Sequence, residues 1–482
     1  MKLNREKELF VKAVLKELEE DNLAIFAGAG LSVGAGFVDW RGMLRPIADE
    51  LELDISKVND LVSLAQYHCN ENGNNRSKIN DIILNEFSRN VEITSTHSVL
   101  SALPISTYWT TNYDKLIESA LEKRGKCVDV KHTNEHLTLT KRGRDTVLYK
   151  MHGDVDFPSD AILTKDDYEQ YHLKMEQYLS ALKGDLISKT FVFIGFSFTD
   201  PNLDYILSRV RISYEKNQRQ HFCFIRVENK NDYENEADFE YHSRRQELFI
   251  NDLKRFGIKA IKIKEYFEIT DLLREVESRY KRKTVFISGA AYEYGQFSKQ
   301  DALFFLHKLS AGLIESGFRI VSGFGLGVGS SIISGALEKI YMHGGKYSPE
   351  QLILRPFPYD ETTGVDLKKY YTQYRTDMIS HAGVAIFLFG NKLSRTDDVV
   401  LSDGMREEFE ICIQQGIPVI LVGATGYMAK TLLDEYLSEQ ELPEGFVALL
   451  NKLDGTNNLS EMEELLFHTI KNACEMERLS YA

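Results

Sequence analysis

Apolar positions along the chain fall into helical spacing in some segments and into short continuous runs in others. Near the start, Phe10, Val11, Val14, Leu15 and Leu18 recur at the spacing of an amphipathic helix. Helical patterns then alternate with short apolar runs that we interpret as strands, at 23–27, 147–151, 190–197 and 222–227. Runs that are apolar throughout are typical of parallel strands covered on both faces. The pattern therefore predicts an α/β fold.

The alternation starts again after a helical pattern that ends in the charged segment 279–283. The strands predicted beyond this point are 285–288, 319–322, 352–354, 384–389 and 418–422, and the charged stretch 229–247 before it is interpreted as a solvated helix or loop. A chain of 482 residues is too long for one ordinary core. We predict two Rossmann-like domains, a parallel-sheet domain over 1–283 and a second over 284–482.

Composition narrows the classes of partner. The 58 Lys and Arg residues against 72 Asp and Glu residues give a net charge of −14, which argues against binding to nucleic acid or to a membrane surface. No apolar run reaches the roughly 18 residues of a membrane span, and charges interrupt the first segment, unlike a signal peptide. The five cysteines form no C-x-x-C pair, so we expect neither disulfides nor a metal site, and a cytoplasmic protein.

The stretch AIFAGAGLSVGAG at 24–36 places Gly28, Ala29 and Gly30 between a strand and a helix start. Glycine lets a pyrophosphate approach the backbone, and a helix N-terminus offers N–H donors. A dehydrogenase fingerprint needs G-x-G-x-x-G, but Val33 occupies the third glycine position. The acidic residues about 20 positions on, Glu50 and Glu52, lie in or beside a helical pattern, which disfavours a dehydrogenase. A glycine turn that only packs a helix against a strand stays open.

Four segments in order resemble the sirtuin signatures, and the resemblance covers about residues 1–280. They are GAGLSVGAGFVDWRG at 28–42, TTNYD at 110–114, KMHGD at 150–154 and FIGFSFTDPNL at 193–203. The chain departs from sirtuin deacylases in lacking two C-x-x-C pairs, and Val38 and Trp40 replace the family's proline and phenylalanine. The resemblance implies a sirtuin-like N-terminal domain that binds NAD, without zinc, while recognition of an acyl-lysine partner is in doubt.

The resemblance also implies the residues of an NAD-cleaving site. His152 is the candidate base, since an imidazole titrates near neutral pH, and Asn112 offers a donor and an acceptor to the ribose or to water. The NAD-binding candidates are Gly28, Ala29, Gly30, Ser32, Asp39, Arg41, Asp114, Gly195 and Ser197. Water is the expected acceptor, so NAD is consumed as a substrate and no cofactor is expected. Asn112 as a turn residue, and Asp114 and Arg41 as ion-pair partners, remain alternatives.

The second half contains two glycine loops after predicted strands, VFISGAAYEYG at 285–295 and IVSGFGLGVGSS at 320–331. SDGMREEFEI at 402–411 resembles part of the LOG motif, with Met405 in place of its threonine, which indicates a SLOG domain. That family senses nucleotide-derived ligands, which implies an activator site. Its candidate residues are Ser288, Gly289, Gly325, Gly327, Arg375, Lys392 and Glu408. Surface charges at loop ends are the alternative for Arg375 and Lys392.

Over its whole length the chain resembles the sirtuin–SLOG NADases of the Thoeris anti-phage system. The resemblance implies that a TIR-domain partner protein makes a cyclic ADP-ribose isomer, which binds the SLOG domain and switches on cleavage of NAD+ to ADP-ribose and nicotinamide. It also implies a homo-oligomer, a tetramer or a filament. Two alternatives stay open, an NAD-dependent protein deacylase of the sirtuin class and a non-enzymatic nucleotide-sensing scaffold.

Overall fold

The computed structural model describes residues 3–198, 203–204, 207–208, 211, 219–357, 367–394 and 396–476. Two compact units make up the chain, Met1–Glu277 and Ser278–Ala482. The motif segment 193–203 is described only in part, because its residues 199–202 lie outside the described residues. Each described helix is too short or too polar to cross a lipid bilayer.

A parallel sheet of seven strands forms the centre of the first unit. The strands are β1 Leu23–Ala27, β2 Thr107–Thr110, β3 Val128–Lys131, β4 Thr146–Lys150, β5 Thr190–Ile194, β6 His221–Arg226 and β7 Ile258–Ile263. Their order is β3-β4-β2-β1-β5-β6-β7. The chain leaves β1 toward β2 on one side, and it leaves β5 toward β6 on the other. In open α/β sheets, ligands bind at such a switch of direction, outside the carboxyl ends of the strands.

Helices connect these strands and share their apolar core. In the described part of the first unit they span Arg5–Glu19, Ala29–Val33, Trp40–Glu50, Leu61–Glu71, Ser77–Phe87, Ser95–Ala102, Leu116–Lys123, Asn134–Thr138, Lys165–Lys174, Glu176–Ser188 and Glu236–Leu253. One more helix, Phe267–Arg282, includes the boundary between the units after Glu277. The first helix begins where the Asn4 side chain accepts the backbone N–H of Lys7, and it buries Phe10, Val11 and Val14 as its spacing predicts. Trp109 on β2 is fully buried in the core against the Tyr149 ring.

The second unit contains a smaller parallel sheet and one hairpin. Its sheet strands are β8 Thr284–Ala290, β9 Arg319–Ser322, β10 Leu352–Leu354, β11 Val384–Phe389 and β14 Val419–Leu421, in the order β10-β9-β8-β11-β14. β12 Asn391–Leu393 and β13 Val399–Leu401 pair antiparallel. The described helices span Lys299–Glu315, Gly329–Met342, Leu367–Ser380, Asp403–Gln414, Tyr427–Glu439, Glu444–Gly455 and Leu459–Glu475. From β8 the chain continues to β9 on one side of the sheet, and from β11 it continues to β14 on the other side. The neighbouring strands β8 and β11 therefore form a second switch of direction.

The predicted α/β class with two parallel sheets is confirmed, and several strand bounds agree with the prediction. Strands β1, β9, β10 and β11 have the predicted bounds. The strand predicted over 190–197 is too long, because it ends at Ile194 and Gly195 adopts a left-handed conformation with φ of 64°. The strand predicted over 285–288 is too short, because β8 spans Thr284–Ala290 and also includes Gly289, which was predicted to lie in the loop after it. The charged stretch 229–247 is largely helical, within Glu236–Leu253.

Candidate active site and candidate ligand site

The loops after β1 and β5 pack directly against each other at the switch of direction in the first sheet. Gly28 donates its N–H to the Ile194 carbonyl, and Gly30 donates to the Gly195 carbonyl, both at 2.9 Å. A Cβ on Gly28 would lie 2.4 Å from the Gly195 oxygen, which real side chains do not tolerate. These glycines therefore serve the close approach of two loops, and the prediction that they bind NAD stays a prediction.

Asn112, Ser32 and Asp114 form one buried hydrogen-bonded group. The Asn112 Nδ2 amide donates to the Gly28 carbonyl at 3.1 Å and to Ser32 Oγ at 3.0 Å. Ser32 donates its hydroxyl hydrogen to Asp114 Oδ2 at 2.7 Å, and Asp114 Oδ1 accepts the Leu116 N–H at 2.9 Å. The loop after β1 and the loop after β2 are thus joined through side chains that the sequence placed 80 or more positions apart.

His152 lies on the neighbouring strand end. Thr110 on β2 is in register with Lys150 on β4, and the Met151 N–H donates to the Thr110 carbonyl at 2.8 Å. Asn112 and His152 each stand two residues beyond this paired position, so their side chains leave adjacent strand ends. His152 is almost fully buried, with 1% of its surface exposed. A buried imidazole at a strand end has the chemistry of a general base.

Two aromatic side chains surround His152. The Trp40 ring centroid lies 6.0 Å from that of His152, and the Tyr168 ring lies 5.6 Å from it with an edge-on orientation. The Tyr168 hydroxyl is 3.5 Å from His152 Nε2. Tyr168 was missed at the sequence level, because the capping box of Thr164 and Asp167 at the start of its helix predicts a helix but not a site.

Lys150 is a second residue that the sequence did not single out, although it begins the KMHGD motif. Its ammonium is fully buried and donates to the Asp114 carbonyl at 2.7 Å, Asp154 Oδ2 at 2.6 Å and Glu118 Oε1 at 2.9 Å. Burial disfavours the charged ammonium, but the two carboxylates outweigh it and raise the pKa of Lys150 above its usual value. The sequence feature that could have identified Lys150 is its place as a lysine at the end of an otherwise apolar strand.

His97 is a buried residue near the Asp114 carboxylate. Its Nδ1 lies 2.8 Å from Thr94 Oγ1, which caps the helix Ser95–Ala102. Burial lowers the pKa of His97 to about 4, against a smaller opposing effect of the Asp114 carboxylate, so the ring is neutral at physiological pH.

Three further predicted NAD-binding residues are Asp39, Arg41 and Ser197. Asp39 is exposed and caps the helix Trp40–Glu50, accepting the Gly42 N–H at 2.8 Å. Arg41 donates to the Ile55 carbonyl. Ser197 is exposed in the loop after β5, two residues beyond Gly195. Both Asp39 and Arg41 thus have structural partners, and their roles toward NAD stay predictions.

In the second unit, the glycines at 289, 325 and 327 interlock two loops. A Cβ on Gly325 would lie 1.8 Å from the Gly289 carbonyl oxygen. Ala291 donates its N–H to the Leu326 carbonyl at 2.9 Å, so the loop after β9 is fixed against the end of β8. These loops stand at the carboxyl ends of the strands where the second sheet changes direction, as a nucleotide cleft requires.

Arg375 lies among acidic and aromatic side chains beside this cleft. Its guanidinium pairs with the Glu407 carboxylate, and its Nε lies 3.6 Å from Glu408 Oε1. The guanidinium carbon is 4.4 Å from the Phe357 ring centroid. Ser288 donates to Glu408 Oε2 at 2.6 Å. Burial raises the pKa of the Glu408 carboxyl, while Ser288 and Arg375 act in the opposite direction.

Lys392 is a more exposed cation of the second unit. It lies on β12, and its ammonium is 3.1 Å from the Asp403 carboxylate at the start of the helix Asp403–Gln414. Ser288, Arg375 and Glu408 are therefore brought together, while Lys392 pairs elsewhere on the same helix. Glu407, which pairs with Arg375, is a carboxylate of this cluster that the sequence did not identify.

Comparison with known proteins identifies both domains of the chain. Residues 106–246 match the family model of the SIR2-like domain, and residues 268–473 match that of the Sir2- and TIR-associating SLOG family. The protein named NAD(+) hydrolase ThsA of Bacillus cereus (strain MSX-D12) is 54% identical over 469 residues, 97% of this chain and 98% of its own.

Two further relatives carry the same name. The protein of Acinetobacter baumannii (strain 532279) is 47% identical over 90% of this chain and 91% of its own length. That of Cytobacillus dafuensis is 48% identical over 90% of this chain and 89% of its own length. These identities extend over both domains and over nearly the full length of each relative. The chain therefore belongs to the ThsA family of NAD(+) hydrolases.

Proposed function

We propose that this chain is an NAD+ glycohydrolase that cleaves NAD+ to nicotinamide and ADP-ribose. The observation that carries the proposal is the buried Asn112–Ser32–Asp114 group beside His152, at the carboxyl ends of adjacent strands. The ThsA relatives, named as NAD(+) hydrolases, support the same substrate.

The proposed reaction breaks the bond between the nicotinamide nitrogen and C1′ of its ribose. Nicotinamide leaves as a neutral molecule, so it needs no general acid, and the ribose develops oxocarbenium character. Water then bonds to C1′, and His152 accepts the proton that the water loses. Asn112 orients the ribose hydroxyls or the water, and the Asp114 carboxylate stabilises the positive charge.

We further propose that a ligand in the second unit controls this reaction. An uncontrolled NAD+ glycohydrolase in the cytoplasm would exhaust its own cell, so the resting site must be largely closed. A shift from 1:99 to 99:1 in the open state needs about 10⁴-fold tighter binding to that state, or about 5.5 kcal/mol. Several charge-assisted hydrogen bonds, at roughly 1.5–3 kcal/mol each, suffice.

The proposed activator is a cyclic ADP-ribose isomer made by a TIR-domain partner protein during phage infection. Arg375 supports a phosphate-bearing ligand, because its planar guanidinium, which donates to the Glu407 carboxylate through one nitrogen, can bind a phosphate in bidentate geometry. The family description of residues 268–473 as a Sir2- and TIR-associating SLOG family supports such a partner. A homotetramer or filament would couple several activator sites to one transition.

The test measures nicotinamide release from NAD+ by the purified full-length chain, in reactions with and without an acyl-lysine peptide. Chromatography detects the nicotinamide. We expect release with a cyclic ADP-ribose isomer and without peptide, and its loss in Asn112→Ala. Asn70→Ala is the matched control, since Asn70 is an exposed amide whose Oδ1 accepts from Gln66 Nε2. Release that strictly requires the acyl peptide would instead identify a protein deacylase.

A further inference from the structure

Lys150 contacts three separate segments of the candidate active site through one ammonium group. It donates to the backbone carbonyls of Tyr113 and Asp114 in the loop after β2, at 3.1 Å and 2.7 Å. It also donates to Glu118 on the helix Leu116–Lys123 and to Asp154 in the loop after β4. An ammonium has three donors, so these four acceptors use its full capacity.

The contacts of Lys150 link the loop that carries Asn112 to the loop that carries His152. Asp154 lies two residues beyond His152, and Tyr113 and Asp114 directly follow Asn112. The Val155 N–H also donates to the Tyr113 carbonyl at 3.0 Å, but this is a single neutral bond. Lys150 is fully buried, so its contacts are made where bulk water does not compete for them.

We propose that Lys150 is a positioning residue that holds the loops of Asn112 and His152 in the geometry needed for NAD+ cleavage. The inference rests on the proposed function and adds a residue that touches neither water nor NAD+ in that mechanism. A displacement of about 1 Å between reacting groups can lower a rate about 100-fold. A lysine that only balances buried charge has no such effect on the rate of the folded protein.

Lys131 provides the matched control. It is also a buried lysine at the end of a strand, β3, where it pairs with Asp129 at 2.8 Å and donates to the Leu139 carbonyl. Its contacts reach neither the loop of Asn112 nor the loop of His152. Lys131→Met therefore removes a buried ammonium and its ion pair without changing the proposed tether.

Three variants separate positioning from charge balance. Lys150→Met removes the tether but leaves two buried carboxylates, so it can fail to fold. Lys150→Arg keeps the charge but replaces a compact three-donor group with a planar fork. The triple variant Lys150→Met/Glu118→Gln/Asp154→Asn removes tether and charges together. Folding is followed by circular dichroism and thermal melting, and kcat and KM for NAD+ are measured on the activated full-length chain well below the melting temperature.

We expect the folded Lys150 variants to lose 10- to 100-fold in kcat with KM for NAD+ within about 3-fold of wild type. The Lys131→Met variant is expected to have a lower melting temperature than wild type and a kcat within 2-fold of wild type. A folded Lys150→Arg or triple variant with kcat within 2-fold of wild type overturns the proposal. Failure of all three variants to fold also overturns it, in favour of a purely structural role. A wild-type chain without NAD+ cleavage refutes the proposed function itself, which is a separate outcome.

Discussion

Ser32 donates its hydroxyl hydrogen to the Asp114 carboxylate at 2.7 Å and accepts the Asn112 amide at 3.0 Å. One hydroxyl group therefore connects the loop after β1 with the loop after β2 inside a site from which water is largely excluded. This relay of hydrogen bonds from Asn112 through Ser32 to Asp114 also fixes the orientation of the Asn112 amide. Its nitrogen donates to Gly28 and Ser32, which leaves its oxygen for other partners. The amide oxygen is then the group directed toward a substrate or a water.

Ser32→Ala tests this relay. The change leaves the Asn112 contact to Gly28 intact but removes the link to Asp114, so we expect NAD+ cleavage to fall at least 10-fold. The loss of a buried hydrogen bond is expected to lower the free energy of unfolding by about 1–2 kcal/mol. Activity and denaturant melts measure the two effects. Ser188→Ala, which removes an exposed hydroxyl bonded to the Gly184 carbonyl, is the control. An unchanged rate in Ser32→Ala would contradict the relay.

His152→Ala tests the candidate base. Removing a general base costs typically 10²- to 10⁴-fold in rate, so we expect turnover to fall by at least 100-fold with the fold retained. Initial rates of nicotinamide release and a thermal melt measure the outcome. His172→Ala changes an exposed histidine of the helix Lys165–Lys174 and is expected to be silent. Full activity in His152→Ala would remove this residue from the mechanism.

The fold class followed from the sequence because parallel strands buried on both faces leave continuous apolar runs, as in β1 and β11. Strands β2, β3 and β7 left no such run. β2 is only four residues long, and β7 alternates apolar residues with lysines. Periodicity over so few positions does not separate a strand from a loop.

The candidate site was predictable where motifs carry it and not where contacts cross the chain. TTNYD and KMHGD identify Asn112, Asp114 and His152. Tyr168 and Lys150 act through neighbours that only the folded structure brings near, and Glu407 is one of many carboxylates in an acidic chain. The sequence around Asp39 is compatible with either a ligand-binding residue or a helix cap, and in the structure Asp39 caps a helix.

Arg375→Lys tests the geometry of the activator site. Lysine keeps the charge but not the planar fork, nor the stacking of the guanidinium on Phe357. We expect the concentration of cyclic ADP-ribose isomer for half-maximal activation to rise at least 10-fold, with the maximal rate unchanged. A titration of NAD+ cleavage against the isomer measures this shift. The exposed Arg274→Lys is the control, and an unshifted titration of Arg375→Lys would exclude a phosphate-binding role.

His221→Asn tests a pH-dependent part of stability. His221 Nδ1 accepts the Phe191 N–H at 3.1 Å, and burial lowers the pKa of His221 to about 4 from its ordinary 6.5. The unfolded chain therefore binds more protons between pH 4 and 6.5, so this stability is full above pH 6.5 and is lost as the pH falls toward 4. The loss is on the order of 3 kcal/mol.

Asparagine can keep the acceptor of His221 without the titration. We expect the unfolding free energy of His221→Asn to fall less steeply than that of wild type between pH 6.5 and 4, in denaturant melts at fixed ionic strength. A residual slope remains, because burial also lowers the pKa of His97 to about 4. Equal slopes in the variant and in wild type would contradict the assignment of His221 as a buried neutral ring.

The most direct measurement of the central claim is nicotinamide release from NAD+ by wild type, Asn112→Ala and Arg375→Ala, each with and without a cyclic ADP-ribose isomer. We expect release only by wild type with the isomer. Asn112→Ala is expected to bind the isomer without cleaving NAD+, and Arg375→Ala to keep its active site but ignore the isomer. Equal release with and without the isomer would contradict the control by the second unit, and undiminished release by Asn112→Ala would contradict the site.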